Sequence, residues 1–173
     1  MQARPYKLPS SSRLADCLPR HTYLDCFAVA ESVADQPITA AYIGVLGHLP
    51  PWFKRLLILR TRLVAPFGLK GPTRADLDHR SDAQATYAVG DHLLRWPIAD
   101  LSEDEVIAGF DDRHLDFQVS VMRDRAATPP VIALSTAVRT NNAFGRAYLA
   151  AIKPFHRFGV AHLLSSAAAA GRI

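Results

Sequence analysis

GFDDRHLDFQVSVMRD, residues 109–124, is the stretch on which the reading of this chain turns. Asp111, Asp112, His114 and Asp116 crowd together as metal ligands or an acid/base pair would, yet the same letters suit the tip and polar face of a β-hairpin. If EVIAGF and HLDFQVSV pair, Asp111, Asp112 and Arg113 occupy a tight turn, where Asp tolerates unusual backbone angles. Leu115, Phe117, Val119 and Val121 then alternate with His114, Asp116, Gln118 and Ser120, and a strand sends alternate side chains to opposite faces. The apolar set must face a core, which leaves the polar set on the solvent side. Asp112, His114 and Asp116 project together, but a metal needs a further firm ligand and a supporting shell, and no recognisable spacing supplies them. The stretch is therefore read as a hairpin, and neither a metal nor a cofactor is expected.

Outward from this hairpin, DHLLRWPI, EDEVIAGF, RHLDFQVSVM and PPVIALSTAVRT follow one another through short turn-rich links, the pattern of an antiparallel meander. HTYLDCFAVA, near residue 21, is an earlier strand. Pro37 in the first turn and Asp35 as N-cap predict a helix over DQPITAAYIGVLG, closed by Gly47. A second helix begins near Pro51. At 100° per residue Trp52, Leu56, Leu59 and Leu63 form its apolar stripe, widened by Phe53, Leu57 and Val64, with Lys54, Arg55 and Arg62 opposite. Arg60 falls among the apolar positions, either snorkelling to an edge or a buried cation awaiting an acidic partner or a ligand. Residues 70–90 are polar and aperiodic, a long loop with a short strand at its end; such loops often border a functional opening. From an Asn cap the chain closes with one helix of about 28 residues. Phe144, Tyr148, Ala151, Phe155, Phe158 and His162 share a face there, Arg146, Lys153 and Arg157 the other, with Pro154 inside.

The 173 residues suit one domain, residues 21–173, preceded by an extended or mobile arm over residues 1–20. The arm has no continuous apolar run, so it is not a secretory signal, and no stretch is apolar enough for a membrane span. A cytoplasmic location is expected, with Cys17 and Cys26 as free thiols. A net charge of +4 favours anionic partners, but no basic run interleaved with aromatics points to nucleic acid. The second helix, with Trp52 and Phe53 beside Lys54 and Arg55, also fits peripheral membrane contact through residues 51–64. G-x-S-x-G, H-E-x-x-H, P-loop and G-x-G-x-x-G motifs are absent. His156 and His79 are read as surface residues, and His162 as a titratable group on an apolar face.

A strand, two helices, an antiparallel meander and a long last helix are the order of the helix-grip fold, an α+β architecture in which a sheet wraps the final helix. PPWFKRLLILRTRLVAPFGL, DDRHLDFQVSV and TAVRTNNAFGRAYLAAIKPFHRFGVAHLL together resemble an uncharacterised bacterial family, the domain of unknown function numbered 2867, within the START-like or polyketide-cyclase-like superfamily. The resemblance spans residues 21–165. It implies a fold and a cavity rather than a reaction, since relatives of that superfamily include lipid carriers, small-molecule binders, cyclases and dehydratases. Some members follow a nucleotide-binding dehydrogenase domain, which this chain is too short to contain.

The expected function is binding of a hydrophobic small molecule or lipid between the sheet and the last helix. Trp96, Phe117, Val119, Tyr148 and Phe155 are the candidate wall, with Arg60, Thr136 and His162 as polar contacts. An enzyme of cyclase or dehydratase type would instead need His162 to meet Tyr148 or Asp116 in the same cavity. A third alternative, an interaction module with a filled core, would show an exposed apolar patch. Oligomeric state is not legible.

Overall fold

The structure is a computed structural model that describes residues 1–173 except Leu69, Lys70, His79 and Arg80, and the side chain of Phe67. In chain order it begins with β1 (Arg4–Pro5), α1 (Leu14–Cys17), β2 (Tyr23–Ala30), α2 (Ile38–Leu46) and α3 (Pro51–Val64). There follow α4 (Arg74–Asp78), β3 (His92–Leu93), β4 (Trp96–Leu101), β5 (Glu105–Asp111), β6 (Leu115–Asp124), β7 (Val131–Thr140) and α5 (Ala143–Ala169). All seven strands join one antiparallel sheet in the order β1-β2-β7-β6-β5-β4-β3. Each link from β3 to β7 joins neighbours, so the meander is as expected. The first long strand reaches β7 only after the chain has crossed the helical layer.

Register fixes what each face carries. Asp25, Thr136, Val119, Ala108 and Ile98 form one row across β2, β7, β6, β5 and β4, and Tyr23, Val138, Phe117 and Phe110 form the next. This face meets the helices. Its core joins Phe27, Val29, Val121, Ile132 and Leu134 to Tyr42 and Val45 of α2 and to Leu163 and Leu164 of α5.

The opposite face was expected to be solvated, and it is not: His114, Asp116, Gln118 and Ser120 are all buried. The first twenty residues cover much of it. β1 pairs with β2 at the sheet edge, and Leu14 and Leu18 pack on Ile107 and Ala137. Beneath them the Ser12 and Ser120 hydroxyls donate to Glu105 Oε1 at 2.6 and 2.5 Å, and the Arg13 amide donates to Glu105 Oε2 at 2.9 Å. The arm, which includes α1, is docked on this face, and alternating polarity could not reveal that its own polar residues would satisfy a buried carboxylate.

Other expectations change in detail. Asp35 does not cap α2; it takes φ 59°, and the helix follows Pro37 with no side-chain cap. DHLLRWPI is a hairpin, β3 to β4, with Leu93 opposite Trp96 and Leu94 at φ 58° in the turn. The long loop holds the short helix α4.

Both amphipathic helices are rotated from the expected faces. On α3, Trp52, Leu56, Leu59 and Leu63 are exposed, while Phe53, Leu57 and Ile58 lie against the core and Val64 is buried. On α5, Phe155 and Phe158 are exposed, and Gly159, Val160, Leu163, Leu164, Ala167 and Ala168 are buried. The buried side lies about 100° from the most apolar stripe on α3 and about 150° from it on α5, at 3.6 residues per turn. The reason is the contact between them. Gly159 admits the Phe53 ring so closely that a Cβ there would lie 2.4 Å from it, which locks the rotation of both helices.

Candidate functional site

On the helix-facing side of the sheet, Trp96, Phe110 and Phe117 make an aromatic floor. The Trp96 and Phe117 rings lie 5.2 Å apart and the Phe110 and Phe117 rings 5.7 Å, distances at which offset aromatic pairs attract. All three are only half-buried, so the helical layer does not close over them. Behind Phe117 in the same strand, Val119 is buried between Ala108 and Thr136. Arg95 stacks on Trp96 with its guanidinium carbon 4.7 Å from the ring and donates to the Leu46 carbonyl at 3.2 Å, holding the indole in place. Burial pulls the Arg95 pKa down from its ordinary value.

Above the floor, α3 and α5 supply a polar pair. Arg60 Nε donates to the Tyr148 hydroxyl at 2.5 Å, and its guanidinium carbon sits 4.9 Å from the Tyr148 ring centre. Tyr148 packs in one cluster with Phe110, Phe117, Val138 and Tyr23. The cation that fell among apolar positions is therefore half-buried against a neutral phenol, where an acidic partner or a ligand had been one of its two readings.

A second polar group lies under α5. Asp25 and Thr136 are cross-strand partners, the Tyr23 hydroxyl donates to Asp25 Oδ2 at 2.5 Å, and His156 Nε2 stands 3.7 Å from Asp25 Oδ1. Burial first, then the bond to Asp25, pushes the Tyr23 pKa up, so its hydroxyl stays a donor. Asp25 Oδ1, Thr136 Oγ1 and His156 Nε2 are buried with no hydrogen-bond partner among the described residues. A carboxylate, a hydroxyl and an imidazole in this arrangement can hold a proton or orient a polar group. His156 had been read as a surface residue, whereas its side chain is mostly buried. The signal was present, since it shares the phase of Ile152 and Gly159, but the brighter aromatic stripe hid it.

The expected residues thus divide. Arg60, Trp96, Phe117, Val119, Thr136 and Tyr148 lie on or around the floor and its roof. Phe155 points outward, and His162 contacts the Trp52 and Phe158 rings and lies 3.4 Å from the Ser166 hydroxyl. Fourteen residues separate His162 from Tyr148, about 21 Å of helix, so they do not converge. His79 lies outside the described residues. Two surface grooves among the described residues, of about 370 and 360 Å³, lie elsewhere, one between α3 and α4 and one beside Arg123.

The hairpin tip has a mechanical role. Arg139 binds Asp116 Oδ2 through Nε and a terminal nitrogen at 2.8 and 2.6 Å, and Asn141 donates to Asp116 Oδ1 at 3.0 Å. Asn142 caps α5 by accepting from the Gly145 amide at 2.9 Å, and its amide nitrogen meets His114 Nδ1 at 2.9 Å. A Cβ on Gly145 would lie 2.1 Å from the His114 carbonyl oxygen. The acidic letters therefore clamp the start of α5, and no metal-holding group of His, Cys, Asp and Glu occurs among the described residues.

These features define a class: an α+β protein with a seven-stranded antiparallel sheet, one face of which holds a long C-terminal helix above a partly uncovered aromatic floor. Residues 17–163 match the family described as Protein of unknown function (DUF2867), and the chain belongs to that family. No curated protein and no solved structure matches the chain. Among the described residues, no helix is long and apolar enough to cross a membrane.

Proposed function

We propose that this protein has the START-like form of the helix-grip fold and binds a hydrophobic small molecule or lipid between the sheet and α3 and α5. The observation that carries this reading is the half-buried aromatic floor of Trp96, Phe110 and Phe117 on the helix-facing side, roofed by Arg60 and Tyr148. Ligand sites combine an apolar lining with a few placed polar groups, and these residues have that composition. The element order, one strand, helices, a meander and a last helix, supports the fold assignment.

The cyclase or dehydratase alternative has less support. Asp116 is tied to Arg139 on the other face of the sheet from Phe117, and His162 is remote from Tyr148. An interaction module is favoured by one feature, the exposed apolar ridge along α3 and α5.

Native mass spectrometry of freshly purified protein, before and after organic extraction, tests the ligand reading. A discrete extra mass that extraction removes is the expected result, and Trp96→Ala should weaken its retention. A bare mass, with no shift when lipids and aromatic compounds are offered, would overturn it.

A further inference from the structure

The helices α3 and α5 turn their most apolar residues outward together. Trp52, Leu56, Leu59, Leu63, Phe155 and Phe158 are between 37% and 64–66% exposed. They form one surface, since the Trp52 ring lies 6.0 Å from that of Phe158 and the others follow at helical spacings of three or four residues. Soluble proteins seldom leave a contiguous ridge of this kind unoccupied.

Charge identifies the occupant. Every charged residue of α3 and α5 is a cation: Lys54, Arg55, Arg60 and Arg62 on one, Arg146, Lys153 and Arg157 on the other. The helical phases place Arg55 and Arg62, both exposed, along the outer flank of α3 beside the ridge, whereas Lys153 and Arg157 of α5 stand over the Tyr23 and Phe27 rings of the sheet, at 4.9 and 5.9 Å, away from Phe155. One basic rim, that of α3, therefore borders the ridge. A groove of about 370 Å³ runs beside the α3 rim, where Arg55, Arg62 and Arg74 join Lys54, which is paired with Asp78. An apolar ridge beside a cationic rim is the arrangement of an interfacial helix on anionic lipid. A second copy of the chain is a poorer occupant, because a two-fold contact through this face would set cations against cations.

We infer that the α3–α5 face docks on an anionic phospholipid bilayer, its apolar ridge entering the acyl boundary and the α3 rim with its groove meeting lipid phosphates. This inference is independent of what the sheet-facing side binds.

Vesicle co-sedimentation of the full chain tests it, with phosphatidylcholine vesicles compared against vesicles holding about 30% phosphatidylserine. Binding to the mixed vesicles should be at least about tenfold stronger, should fall in high salt, and should weaken about tenfold in Arg55→Gln/Arg62→Gln. Leu59→Ser/Leu63→Ser should abolish it, with far-ultraviolet circular dichroism checking that the variant is folded. Trp52 should shift its emission to the blue on binding, a shift absent in Trp52→Phe. Equal, weak sedimentation with both vesicles would overturn the inference. So would concentration-dependent dimerisation that Leu59→Ser/Leu63→Ser removes, which would assign the ridge to a second copy.

Discussion

Helices α2 and α3 are neighbours in the chain and opposites in use. In α2 every residue from Ile38 to Leu46 except Ala40 is buried, whereas in α3 only Val64 is, although four large apolar residues line one of its faces. Apolar content says that a helix has something to cover, but not whether its own fold covers it. α2 sits between β5, β6 and α5 and has no exposed side. α3 lies outside α5, and the glycine contact that seats it turns its richest stripe to the surface.

The sharpest way to break this comparison is to put a charge in each helix. Val45→Asp leaves a carboxylate in a fully buried position without a partner, so the variant should fail to fold, whereas Leu59→Asp should keep the wild-type melting temperature within a few degrees. Circular dichroism melts read both. Equal losses would mean that α3 is covered in solution. Truncation is milder: Ile38→Ala should cost about 2–5 kcal/mol in urea unfolding, against roughly 0.5 kcal/mol or less for Leu63→Ala.

The dry interior extends past α2 to the outer sheet face, and pH reads it there. Burial pushes the Cys26 thiol up to about 11 from an ordinary value of 9.0. The unfolded thiol ionises first, so the folded state holds more protons between those values. Stability is fully present below about pH 9 and falls, by on the order of 2 kcal/mol, as pH rises toward 11. Cys26→Ala should flatten that part of the profile, and an unchanged slope would place the titration on another group, such as buried Tyr42. A milder loss is expected at the clamp: Asn142→Ala removes the cap of α5 and should cost about 1 kcal/mol by urea unfolding, with the β6 hairpin tip losing amide protection alongside it.

The sheet was far more legible than the helices. A strand has only two faces, so Leu115, Phe117, Val119 and Val121 could be assigned to the core from alternation alone, and the same alternation set Asp116 on the other side. A helix offers a continuous choice of rotation. The aromatic residues of α5 outweighed the modest Gly159, Val160 and Leu163 that are in fact buried, and so Phe155 was assigned inward and His156 outward. Arg60 was legible as an anomaly, though its partner Tyr148 lies 88 residues away and has no local signal.

By itself the sequence determined the number and kind of the main elements, the antiparallel meander, the capped last helix and the family. These depend on local periodicity, caps and turn chemistry, which act over a few residues. The tertiary structure alone decided that a polar strand face is covered by the N-terminal arm, that Asp25, Thr136 and His156 meet, and that α3 and α5 present a shared apolar ridge. Those outcomes depend on which surfaces are close enough to exclude water, and a gap as small as the absent side chain of Gly159 is enough to choose between them.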